Sequence, residues 1–199
     1  MLLMVESRRH PHPGRALALG VLLLVSTATQ SREEVSLEAA RRGDALEIAC
    51  RATLEAPPEL VWQTLTDYNR LHEFIPGMRR SRVLESRGAV SVIEQSGEAR
   101  FLFLSFPIEV TLSSTERAPH SIEATMIKGN LKRLQGTYRI EPRRDGRVAL
   151  TWTGVIEALS MSPLLGEMVM RASVEDQFRG MVQEIARRAA ARREAETRK

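Results

Sequence analysis

The stretch SPLLGEMVMRASVEDQFRGMVQEIARRAAAR, residues 162–192, decides how the rest of the chain is read. Ser162 is a favourable N-cap, and Pro163 suits the first helical turn, where a missing N–H costs nothing. No proline follows Pro163, and Gly166 and Gly180 are the only glycines of the run. Leu164, Met168, Val174, Phe178, Met181, Val182, Ile185 and Ala189 recur at helical spacing. Arg171, Glu175, Gln183, Glu184, Arg187 and Arg188 fall mostly between them. The pattern predicts one amphipathic helix with a buried stripe, about 45 Å long at about 1.5 Å per residue. A rod of that length crosses a whole small domain, and residues 45–157 are the material available to wrap it.

That material reads mainly as strands. Leu46, Ile48, Cys50, Ala52 and Leu54 alternate with Glu47, Ala49, Arg51 and Thr53, the signature of a half-buried strand. Ala56-Pro57-Pro58 ends it and opens a short helix through Trp62 and Leu65. Thr66-Asp67 is placed to cap a second short helix holding Tyr68, Leu71 and Phe74, which stops at Pro76-Gly77. Six further strands are expected over 81–85, 90–95 running on into 100–104, 108–116, 121–127, 133–141 and 148–157. Arg87-Gly88, Ser96-Gly97, Lys128-Gly129-Asn130 and Arg144-Asp145-Gly146 supply turn signals. Connections this short make consecutive strands antiparallel, since parallel pairs need long crossovers. The expected architecture is α+β: a curved seven-stranded antiparallel sheet wrapped around the C-terminal helix, with two short helices after the first strand. A bent sheet cannot press flat on a straight rod, so a hollow is expected between them.

The N-terminal segment stands apart. Arg8, Arg9 and Arg15 precede an apolar run over 16–25 and the small residues Ser26-Thr27-Ala28, the three-part pattern of an export signal. Residues 1–28 are therefore expected to be a signal peptide and the protein exported, to a periplasm or outside the cell. The alternative is an uncleaved membrane anchor. Residues 29–44 are polar, with a short helical pattern at Val35, Leu37 and Ala40, and read as a linker or a loosely docked helix. The domain itself spans 45–192, and 193–199 is a basic tail.

Charge and cysteine content exclude several classes. Removing 1–28 takes away three arginines and Glu6, lowering the net charge from +4 to +2. Residues 187–199 carry six basic and two acidic side chains, so the basic excess is one tail, and no nucleic-acid partner is implied. That tail is either a solvated helix end, where cations suit the dipole, or a membrane-surface contact for an anionic leaflet. Cys50 is the sole cysteine, without a disulfide partner in the chain, and its strand setting suggests a small buried apolar residue.

Particular motifs resemble a known family. Ala56-Pro57-Pro58-Glu59-Leu60-Val61-Trp62 through Leu65-Thr66-Asp67-Tyr68, then Phe74-Ile75-Pro76-Gly77-Met78, resembles the START-like polyketide cyclase and coenzyme-Q-binding family of the helix-grip (SRPBCC) superfamily. Gly136-Thr137-Tyr138-Arg139-Ile140-Glu141-Pro142 and Leu150-Thr151-Trp152 resemble its last two strands. The likeness covers about residues 45–190. It implies the helix-grip fold and a hydrophobic ligand under the long helix, while members range from lipid carriers to aromatic cyclases.

No catalytic constellation has useful spacing. His72 and His120 are isolated, no Cys/His cluster suits a metal, and phosphate-loop and nucleophile-elbow patterns are missing, so no cofactor is expected. The expected function is therefore binding of a quinone, lipid or polycyclic molecule in the hollow, with a cyclase or dehydratase as the alternative. Phe103, Met126, Tyr138, Trp152, Met161 and Met168 are the candidate cavity residues, with Tyr138 able to orient a polar end. Arg100, taken to share the inward parity of Leu102 and Leu104, is the candidate rim cation. The oligomeric state is left open.

Overall fold

The computed structural model describes residues 35–158 and 162–198. The expected export segment and Met161 lie outside the described residues. Strands β1 (Val35–Arg42) and β2 (Ala45–Leu54) are followed by helix α1 (Pro58–Leu65) and a 3₁₀ turn (Tyr68–Glu73). Then come β3 (Met78–Arg87), β4 (Val90–Phe101), β5 (Leu104–Arg117), β6 (Ser121–Gly129), β7 (Leu131–Pro142), β8 (Val148–Ala158) and helix α2 (Pro163–Thr197). The strands form one antiparallel sheet in the order β1-β2-β8-β7-β6-β5-β4-β3.

The sheet has eight strands rather than seven, because part of the expected linker is β1. Val35, Leu37 and Ala39 are half-buried while Ser36, Glu38 and Ala40 are exposed, a period of two rather than of a helix. Pairing with β2 runs unbroken from Val35↔Ala52 to Arg42↔Ala45. Gly43, at φ +63°, makes the tight turn that only a residue without a Cβ adopts at little cost. Ladder hydrogen bonds to β2 override the helix propensity of Glu and Ala here.

The inward face of β2 is the set read from the sequence: Leu46, Ile48, Cys50, Ala52 and Leu54 are all buried. Burial pushes the Cys50 thiol up to about 12, helped by the nearby charge of Glu175, so the sulfur packs as an inert apolar group. Trp62 is half-buried against this core.

Helix α2 covers the sheet and continues to Thr197, so most of the expected tail is helical. Ser162 occupies the N-cap position without a capping side-chain hydrogen bond. The buried stripe is Met170, Phe178, Met181, Val182, Ile185 and Ala189, joined by Val169. Leu164 and Met168, expected on it, are exposed. Met170 precedes Val174 by one helical turn, and Met168, two residues earlier, is rotated about 200° away at about 100° per residue. Arg188 fastens the helix to the 3₁₀ turn, through Asp67 at 2.9 Å and over the Phe74 ring at 5.3 Å. The Asp67 carboxylate, expected as a cap, is used in this ion pair instead. At the far end Arg193 donates to the Glu55 carbonyl, and Arg192 pairs with Glu196.

β4 and β5 differ from expectation at their junction. The apolar run through Phe101–Leu104 is a two-residue hairpin, with Leu102 and Phe103 at its tip, 81% and 90% exposed. Ser96-Gly97, expected as a turn, lies inside β4. Gly97 is needed there because the backbone of Gly77 and Met78 crosses it, leaving no room for a Cβ.

Candidate functional site

A row of small residues runs across the middle of the sheet: Ser114 on β5 pairs with Ala124 on β6, Ala124 with Gly136 on β7, and Gly136 with Gly154 on β8. Large inward side chains would fill the space under α2, and this row withholds them across four strands. The Trp152 indole occupies the glycine half of the trough. A Cβ on Gly136 would meet its ring and Nε1 at 2.8 Å, and one on Gly154 would meet the ring at 2.6 Å. The other half is open. It is the floor of a cavity of about 220 Å³ between sheet and helix, bordered by β3 to β8 and by one face of α2.

The walls are largely apolar, with Ile93, Val110 and Leu112 from the sheet and Met170, Val174 and Met181 from the helix. Tyr138 closes one side, stacked on Phe178 with the ring planes 8° apart and tilted 55° to Trp152. Burial holds the Tyr138 phenol well above its usual pKa, so it is a neutral hydroxyl. Among the described residues neither that hydroxyl nor the Trp152 indole N–H makes a hydrogen bond, and since no buried side-chain polar atom there lacks a partner, both atoms open on solvent-sized space.

A second polar feature sits at the opposite wall. Tyr68, from the 3₁₀ turn, donates to Glu116 Oε1 at 3.0 Å and lies 3.2 Å from Ser114 Oγ. Ser91 also donates to Glu116 Oε1, at 3.2 Å, and Ser86 lies 3.2 Å from Ser91. Burial raises the Tyr68 phenol too, the hydrogen bond from Ser114 opposing it and the Glu116 charge adding to it. On the helix side Gln177 donates to Ser173 at 3.1 Å, and both border the cavity.

Of the residues chosen from the sequence, Tyr138 and Trp152 border this cavity. Met126 is half-buried against the core, its sulfur against Gly129, and is not among the residues that border the cavity. Phe103 does not reach it, because the strand turns at Leu102 before Phe103 can face inward. Met168 is 39% exposed on the outer side of α2. Arg100 points outward and pairs with Glu98, which also takes Arg79 at 2.8 Å. Ala99, its neighbour, holds the inward parity, fixed by Ile93 and Gln95 rather than by Leu102 and Leu104. The sequence reading missed Tyr68 and Ser114. Ser114 was accessible from pattern, being a polar residue two positions after Leu112 on an inward face. Tyr68 was not, since its partner Glu116 lies 48 residues away.

Known proteins share both sequence pattern and fold. The model of the polyketide cyclase/dehydrase and lipid transport family matches residues 54–186. The aromatase/cyclase ZhuI from Streptomyces sp. R1128 superposes with a TM-score of 0.61 at 18% identity, over 72% of this chain and 95% of that one. A STAR-related lipid transfer protein from Xanthomonas axonopodis gives 0.64 at 12% identity, over 76% and 93%. A START superfamily protein from Mycobacterium smegmatis gives 0.61 at 12% identity, over 70% and 96%. No curated protein matches the sequence. At these identities the structures speak for the helix-grip fold, and the family match across most of the domain completes the assignment: the chain belongs to the polyketide cyclase/dehydrase and lipid transport family.

Proposed function

We propose that the protein is an exported binding protein that holds a hydrophobic small molecule, a quinone, lipid or polycyclic compound, between the sheet and α2. The observation that carries this reading is a largely apolar cavity bordered by Tyr138 and Trp152, whose hydroxyl and indole N–H make no hydrogen bond among the described residues. A ligand oxygen that meets either group adds a hydrogen bond worth about 0.5–1.5 kcal/mol net. Export rests on the pattern of residues 1–28. The volume narrows the ligand: about 220 Å³ lies below the roughly 300–1,000 Å³ of pockets that enclose drug-sized molecules. A compact ring system fits whole, and a longer lipid only by its head.

A cyclase reading draws on Tyr68 and Glu116 as an acid–base pair. Tyr68 already gives its proton to Glu116 in a hydrogen bond and burial holds the phenol protonated, which suits positioning better than proton transfer. Binding is therefore preferred. The test is titration of ligand-stripped protein with a fluorescent fatty acid or a naphthoquinone, beside the variant Val174→Phe, which narrows the cavity from the helix side. Saturable binding that raises the melting temperature, weakened about tenfold or more in the variant, is expected. No saturable binding by well-folded parent protein overturns the proposal.

A further inference from the structure

Hydrogen positions along the Tyr68–Glu116 chain are fixed by counting donors, and they give the cavity a direction. A carboxylate only accepts, so Tyr68 and Ser91 both spend their single hydrogens on Glu116 Oε1. Tyr68 has none left for Ser114, so the 3.2 Å contact between them is a bond from Ser114 to the phenol oxygen. The same argument makes Ser86 the donor to Ser91. Every hydroxyl in the chain points toward Glu116. Ser114, buried and bordering the cavity, has given its hydrogen to Tyr68 and presents only lone pairs.

The other wall has the opposite sense. The Trp152 indole N–H donates and cannot accept, and it lies over Gly136, with the Tyr138 ring centroid 6.5 Å from that of the indole. Ser114 and Gly136 belong to the same cross-sheet row, two strands apart through Ala124. At about 4.8 Å per strand the two walls stand about 10 Å apart. That spacing suits a skeleton of two or three fused rings with oxygens at both ends.

We infer that the cavity selects a compact, mainly apolar ring molecule with a hydroxyl donor directed at Ser114 and a carbonyl-type acceptor directed at Trp152 and Tyr138. This rests on the binding function proposed above and adds the polarity of the ligand to it. A hydrocarbon of the same shape leaves both walls unpaired, and a methyl ether at the Ser114 end sets lone pairs against lone pairs.

The experiment compares four probes on parent protein: a hydroxytetralone, its methyl ether, the corresponding ketone-free phenol and the parent hydrocarbon tetralin. The hydroxytetralone should bind about tenfold more tightly than the ether and than the ketone-free phenol. Ser114→Ala should abolish the preference over the ether alone, and Trp152→Phe the preference over the ketone-free phenol alone. Glu116→Gln gives a second test that leaves Ser114 in place. A glutamine amide can donate to Tyr68, which lets the chain run the other way and lowers the preference for the hydroxyl. Equal binding of hydroxytetralone and ether by the parent, or a preference that survives both Ser114→Ala and Glu116→Gln, overturns the inference. Binding of tetralin with no discrimination overturns the polarity while leaving the carrier function standing. Failure of all four probes on folded protein overturns both.

Discussion

Gly136 lies directly opposite Gly154 in the β7–β8 ladder, and the Trp152 indole rests in the notch the pair creates. The conformational freedom of glycine is not what is needed here, since the requirement is the absence of a Cβ against a ring 2.6–2.8 Å away. A methyl at Gly136 has to push the indole off the sheet, toward the cavity. Gly136→Ala is therefore expected to cost about 1–3 kcal/mol as an overpacking change. It should also shift the tryptophan emission and weaken binding of an apolar probe. Unchanged emission and melting temperature would show that the methyl is accommodated without displacing the indole.

Gly180 gives a case where two effects have opposite signs. In an exposed helix interior, Gly→Ala stabilises by about 1 kcal/mol. Here α2 crosses the segment after the 3₁₀ turn so closely that a Cβ would strike the Pro76 ring, and would meet the Phe74 carbonyl oxygen at 2.8 Å. The contact is with a rigid ring and backbone, which cannot swing away. Gly180→Ala is expected to lower the melting temperature despite its helix propensity, and a stabilised variant would show that the two segments separate easily.

The hairpin tip makes the reverse forecast. Leu102 stands at φ +54°, a left-handed conformation that costs a β-substituted residue roughly 1 kcal/mol, with its side chain in solvent. Leu102→Gly should raise stability by up to about 1 kcal/mol. Phe103→Ser should change it by less than about 0.5 kcal/mol, because so little of the ring is buried. Chemical denaturation of the two variants decides this, and a large loss in Phe103→Ser would place the ring in the core after all.

These positions also mark where the sequence was legible. The long helix, the strand over Ala45–Leu54 and the antiparallel run were readable because alternation and helical spacing reflect one-sided burial, a local property. The β4–β5 turn was hidden because Leu102-Phe103 carries no glycine, proline or asparagine, and its apolar residues imitate a continuing strand. That hidden turn put Phe103 on the wrong side of the fold, and the parity taken from Leu102 and Leu104 did the same for Arg100. Tyr138 and Trp152 were found as aromatic residues on facing strands. The trough that creates the cavity was not, because Ser114, Ala124, Gly136 and Gly154 come together only through the register of four strands.

The acid response of the fold should be led by Glu184. Its side chain is nearly buried on α2, with Arg187 at 2.7 Å and Arg188 at 2.7 Å. The hydrogen bond from Arg187, then that from Arg188, hold the carboxyl down from its usual 4.5 to about 2, against the opposing effect of burial. A carboxylate depressed in the folded state gives stability that is complete above the unfolded value. That stability fades as the pH falls from about 5 through about 2, where the folded state also takes up the proton. A shift of this size corresponds to an upper bound near 3 kcal/mol, and with Arg187 largely exposed a figure on the order of 2 kcal/mol is expected. Glu184→Gln should lose that amount at pH 7, and parent and variant should converge as the pH approaches 2. Urea unfolding of both proteins at pH 7, 4.5 and 2.5 measures the gap. A gap that stays constant across those pH values would mean that Glu184 acts through packing and neutral hydrogen bonding, and not through its charge.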